Sequence, residues 1–142
     1  MAKTKTQATA VSPKDFIAGL GNATRRADAL VLLKLFSRIT GWKARMWGPS
    51  IVGFGARHYR FASGAIGSIC ATGFSPRTGA LVLYCGEAPQ TAALLKKLGK
   101  HKGGIRQCLY INKLADVDLK VLELIVRAGL EHTKKTQSVT AS

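Results

Sequence analysis

The sequence predicts an α+β fold, a mostly antiparallel sheet of about six strands flanked by N-terminal and C-terminal helices. Three observations predict it. Apolar residues at helical spacing occupy the two ends of the chain and one short stretch near 91–98. Residues 42–85, by contrast, are rich in glycine, aromatic and β-branched residues, in short runs divided by turn signals. The links between those runs are too short for crossovers, so the strands should pair antiparallel. A chain of 142 residues, 46% hydrophobic, can bury a core as one domain. No apolar run reaches the roughly 18–20 residues of a membrane span.

Residues 1–11 read as a disordered basic tail that lacks the apolar stretch of a secretory signal. Its Thr/Lys-rich, acid-free composition leaves an organelle-targeting role open. Ser12-Pro13-Lys14-Asp15 opens a short helix, with Ser12 as N-cap, Pro13 at the first helical position and Asp15 at the positive helix end. A second helix, capped by Asn22 or Thr24, runs to about Thr40 and is apolar almost all round, so it should be largely buried; only Lys34 and Arg38 mark a wet stripe. Strands follow near 43–47, 50–54, 57–62, 69–74 and 80–85. Pro49, Gly55-Ala56 and Ser63-Gly64 divide the first four. Ser75-Pro76-Arg77-Thr78-Gly79 makes the last link a hairpin, with Arg77 at its exposed tip. Thr91–Leu98 is a short helix ended by Gly99, 100–104 a flexible basic loop, and 107–112 a sixth strand. Asp116 or Asp118 caps the last helix, whose wet stripe is Lys120, Glu123, Arg127, Glu131 and Lys134, with Leu119, Leu122, Ile125 and Val126 facing inward. The domain therefore spans 12–132, and 133–142 is a second disordered tail.

Charge is the strongest functional signal. Lysine and arginine number 22 against 7 acids, a net charge of +15. Residues 15–131 hold 17 of the basic residues and all 7 acids, so most of the excess belongs to the folded part. From 29 to 115 the only acid is Glu87, against thirteen lysines and arginines. Such a body repels itself, and a polyanion would offset that repulsion. Trp42-Lys43-Ala44-Arg45-Met46-Trp47 and Arg57-His58-Tyr59-Arg60-Phe61 interleave cations with aromatic rings. On a strand, Lys43, Arg45 and Trp47 share one side, as do Arg57, Tyr59 and Phe61, which suits phosphates and stacked bases. Lys96, Lys97, Lys100 and Lys102 cluster around a glycine-rich loop. The candidate nucleic-acid-binding residues are therefore Lys43, Arg45, Arg57, Arg60, Arg77, Lys96, Lys97, Lys100, Lys102 and Arg106.

Catalytic and metal chemistry find no comparable signal. The acids have helix-cap or helix-surface roles, apart from Glu87 in a loop, and form no acid–base pair. His58, His101 and His132 are dispersed, and there is no nucleophile elbow. Gly53-Phe54-Gly55 and Gly64-Ala65-Ile66-Gly67 lack the strand-to-helix setting of a phosphate fingerprint. Cys70, Cys85 and Cys108 are far apart, each in an apolar run, and read as reduced, buried small residues. The expectation is a non-enzymatic binding module with no metal and no cofactor, whose partner is RNA or a ribonucleoprotein.

Arg25-Arg26-Ala27-Asp28-Ala29, Met46-Trp47-Gly48-Pro49-Ser50, Ile51-Val52-Gly53-Phe54-Gly55, His58-Tyr59-Arg60-Phe61-Ala62-Ser63-Gly64, Thr72-Gly73-Phe74-Ser75-Pro76-Arg77, Leu98-Gly99-Lys100-His101-Lys102 and the run from Cys108 to Leu119 are stretches that resemble the YdhG-like domain family. Together they cover about 23–125. The resemblance implies a small cytoplasmic α+β domain. Because some relatives are proposed to be frataxin-like iron chaperones, it also implies iron or small-ligand handling as an alternative. Where the family pattern has Glu-Gly-Asp after the Ser-Gly pair, this chain has Ile66-Gly67-Ser68. The acids that would serve as hard-cation ligands are missing there.

Overall fold

Side chains that satisfy the first free backbone N–H groups set the helix starts. In the computed structural model, which describes residues 8–60 and 62–141, α1 (Pro13–Ala18) begins at Ser12, whose hydroxyl accepts from the Asp15 N–H. The α2 helix (Ala23–Thr40) begins at Asn22, whose Oδ1 accepts from the Arg25 N–H at 2.8 Å. The α4 helix (Leu119–Thr136) begins at Asp118, which accepts from the N–H groups of Lys120 and Val121. Between them lies α3 (Thr91–Leu98). Among the described residues no helix is long and apolar enough to cross a membrane.

The main sheet is six-stranded, in the order β1-β2-β5-β6-β8-β7 and antiparallel throughout. Its strands are β1 (Ala44–Trp47), β2 (Ile51–Phe54), β5 (Thr72–Pro76), β6 (Leu81–Tyr84), β7 (Lys102–Gly103) and β8 (Leu109–Ile111). Helices cover one face. Phe36 of α2 packs against Phe54 and Phe74, with ring centroids 5.7 and 5.5 Å away. Leu32, Leu81, Leu83, Leu109, Ile111, Leu122 and Val126 complete this core. Burying each such side chain stabilises by roughly 1.5–3 kcal/mol, so the helix-covered face dominates the fold's stability. The α2 helix is wetter than its composition predicts: Leu30 and Val31 are exposed, as is Leu119 on α4. Both helices pack on one side only, and an apolar residue beyond that side has nothing to cover it.

A second sheet, in which β3 (Ala56–Arg60) lies between β4 (Ile66–Ile69) and β9 (Ser138–Thr140), was not expected. The β2 strand continues past Gly55 into β3 (Ala56–Arg60), and β4 (Ile66–Ile69) continues past Ala71 into β5. Pairing keeps one register across the break, so the whole is a single bent hairpin. Its distal half leaves the main sheet as an arm. The expected strand near 69–74 is thus two strands, because the bend falls inside it.

The C-terminal boundary also needs correction. Residues 133–142 were expected as a tail, but α4 runs to Thr136 and β9 (Ser138–Thr140) pairs with β3. Thr133 is buried, so the last turns of α4 pack against the body, and its hydroxyl donates back to the Gly129 carbonyl of the same helix. A three-residue strand leaves no readable period in the sequence. At the other end, residues 1–7 of the expected tail lie outside the described residues. The Thr9 N–H donates to the Met46 carbonyl at 2.8 Å, so the chain is already docked on β1 there. The expected flexible loop at 100–104 contains β7, paired with Leu109 and Tyr110.

Candidate nucleic-acid interface

The few acids sit mainly on the helix layer. Glu123 binds Arg38 at 2.7 Å and Arg127 at 2.8 Å, and these guanidiniums hold its carboxyl below the usual range. Glu131 meets Lys134, Asp118 caps α4, and Asp28 accepts from the Leu114 N–H. Among the described residues none of the ten candidate cations forms an ion pair with a carboxylate. Cations without a carboxylate partner are therefore spread over the sheet edges, the loops and the last turn of α3.

At the β7 edge the structure builds an open cleft of about 700 Å³. Lys100, His101, Lys102, Gln107, Tyr110 and Asn112 line it, and among the described residues no carboxylate does. Strand alternation explains the arrangement. Leu109 and Ile111 turn into the core, so Tyr110 between them turns outward, where it is 36% exposed. Lys102 stands directly across from Tyr110 in the ladder. The backbone here is anchored: the Lys100 N–H donates to the Asp116 carbonyl and the Gly104 N–H to that of Cys108. His101 Nδ1 lies 2.7 Å from the Gly99 carbonyl, which can only accept, so that nitrogen carries the proton. A cation pair and an exposed ring on fixed backbone can bind phosphate and stack a base.

A second cleft, of about 690 Å³, lies where the arm, the end of β6 and the C-terminal turns of α4 meet. Arg57 and Arg106 line it, together with all three cysteines. Burial pushes the Cys70 and Cys85 thiols up to about 12, and raises that of half-buried Cys108. A thiol favoured in its protonated form adds apolar wall to the cleft. Gln107 borders both clefts. Arg77 sits at the exposed hairpin tip, as expected, and its Nη2 donates to the Tyr84 hydroxyl.

The ten candidates do not form one patch. Lys100 and Lys102 share the first cleft, and Arg57 and Arg106 share the second. Lys43 and Arg45 lie at the opposite edge of the main sheet. Arg60 is at the far end of the arm, and Lys96 and Lys97 are exposed on the last turn of α3. The expected aromatic platform also needs correction. Trp47 does share a face with Arg45, but Ala8, Ala56 and Cys70 cover it and leave it 5% exposed. Trp42 packs against the main core, with the Lys134 ammonium 5.1 Å from its ring centroid. Tyr59 lies under the Arg57 guanidinium, and Phe61 is outside the described residues. Sequence reasoning passed over Tyr110, although its place between Leu109 and Ile111 already marks it as outward-facing. Among the described residues no three His, Cys, Asp or Glu side chains come together to hold a metal. Neither protein-family models, nor curated proteins, nor solved structures yield a match to this chain.

Proposed function

We propose that this protein is a non-enzymatic binding domain for a polyanion, and that the partner is RNA or an RNA-containing particle in the cytoplasm. The observation that carries the reading is the β7-edge cleft: Lys100, Lys102 and outward-facing Tyr110 on anchored backbone, with no carboxylate in the lining among the described residues. The absence of ion pairs at the ten candidate cations, among the described residues, supports it. A cation with no carboxylate beside it meets phosphate without first breaking an ion pair. On its sequence motifs we group the protein with the YdhG-like domains. That grouping concerns the fold and does not choose the ligand.

Salt dependence tests the reading. With about four phosphate contacts on a single strand, log affinity should fall against log salt with a slope of about −2.8. Lys100→Ala with Lys102→Ala removes two contacts and should flatten the slope by about 1.4, and both residues are exposed, so the fold should survive. The loss should be similar for different sequences, because backbone contacts carry no base information. No binding at low salt, or binding indifferent to salt, would overturn the proposal.

A further inference from the structure

The cleft between the arm and the end of α4 has features that polyanion binding at the β7 edge does not need. Arg106 adopts φ +60°, and it is the only non-glycine residue at positive φ among the described residues. A side chain there is strained, and glycine would hold the same backbone without strain. The chain uses glycine for that purpose two residues earlier, at Gly104, φ +99°. At Arg106 it keeps a guanidinium instead. The conformation is held locally: the Arg106 N–H donates to Glu87 Oε1 at 2.7 Å. Glu87 thus binds the backbone and forms no ion pair with the Arg106 side chain. Strain maintained at a long cationic residue in a cleft points to a ligand for that cation.

Arg57, also on this cleft, is fixed in place. Its Nη1 donates to Gln137 Oε1 at 3.0 Å, and its guanidinium lies 5.9 Å from the Tyr59 ring centroid. Its remaining donors have no carboxylate among the described residues. Ile69, Cys70, Ala71 and Cys85 supply an apolar wall to the same cleft, which Glu87, its Oε1 engaged by the Arg106 N–H, and His132 also line. A volume of about 690 Å³ suits a ligand the size of one nucleotide. Two guanidiniums match a phosphate, and the apolar wall matches the flat face of a base.

We propose that this cleft is a nucleotide site in which Arg57 and Arg106 hold a terminal phosphate and the apolar wall takes the base. The same chemistry is offered by a free nucleoside monophosphate and by the phosphorylated end of a strand. Calorimetric titration of the full chain at low salt, with AMP and adenosine as probes, tests the site. AMP should bind at least tenfold more tightly than adenosine. Arg106→Gly should weaken AMP binding by about 10- to 100-fold, while the melting temperature stays level or rises, because glycine accepts the positive φ. Arg57→Gln provides a second variant with the same expected direction. A short thymidine oligonucleotide, with and without a 5′-phosphate, separates the two sources. If only its phosphorylated form binds, and the binding depends on Arg106, the site reads a strand end. Equal affinity for AMP and adenosine would overturn the proposal. So would full affinity in Arg106→Gly, or a loss of AMP binding in Lys100→Ala/Lys102→Ala while Arg106→Gly still binds.

Discussion

Gly129 shows how a single position can oppose its own helix propensity. In a solvated helix, alanine is better than glycine by about 1 kcal/mol. Here α4 passes so close to the end of β6 that a Cβ at Gly129 would overlap the Cys85 carbonyl oxygen. The obstacle is backbone, which cannot rotate aside. Overpacking of this kind costs roughly 1–3 kcal/mol, sometimes more, so the clash should outweigh the propensity. Gly129→Ala is expected to lower the urea midpoint, and an unchanged or raised midpoint would show that the two backbones can part. The same crossing places Cys85 and Thr133 beside the second cleft, so this glycine also fixes the distance between the cleft's walls.

At the scale of elements, the arm depends on the last strand. An isolated two-stranded hairpin is marginal in water, and β9 supplies the third strand. His58 ties it in: Nδ1 lies 2.7 Å from the Ser68 hydroxyl and Nε2 2.9 Å from that of Thr140. The bend at Gly55, φ +65°, is crowded by the Trp42 ring and the Thr140 carbonyl, so β9 also braces the turn that makes the arm. Ending the chain after Gln137 should therefore speed amide exchange in β3 and β4, while β5, β6 and β8 keep their protection. Uniform loss of protection would mean that the arm and the main sheet unfold together. At the residues of the bend the sequence was legible in part: Gly55-Ala56 stood out as a break. That the chain on either side keeps one register was not legible, since period-two patterning says which face a residue takes and nothing about which strand it meets.

Across the whole molecule, the carboxylates that form ion pairs, Glu123 and Glu131, belong to α4, and among the described residues the ten candidate cations meet no carboxylate. With 22 basic residues against 7 acids, repulsion among like charges opposes folding. Screening should relieve it. Raising sodium chloride from 50 to 500 mM should raise the melting temperature by about 2–5 °C, measured by circular dichroism without polyanion. A lower melting temperature at high salt would mean that the ion pairs around Glu123 outweigh the repulsion.

The sequence by itself determined the α+β class, five of the six strands of the main sheet, the helix cap at Ser12, a choice between two neighbouring caps for α2 and for α4, the hairpin tip at Arg77 and the acid-poor stretch from 29 to 115. These follow from local preference, periodicity or counting, all of which can be read along the chain. Only the tertiary structure decided that Trp47 is covered, that three cysteines distant in sequence line one cleft, and that residues 138–140 complete the arm. It also separated Lys43 and Arg45 from Lys100 and Lys102 by the width of the sheet. Strand order and the bend at Gly55 fix those outcomes. They arise from contacts between residues far apart in sequence, and the energy that selects such contacts is spread over both partners, so neither segment carries the signal alone.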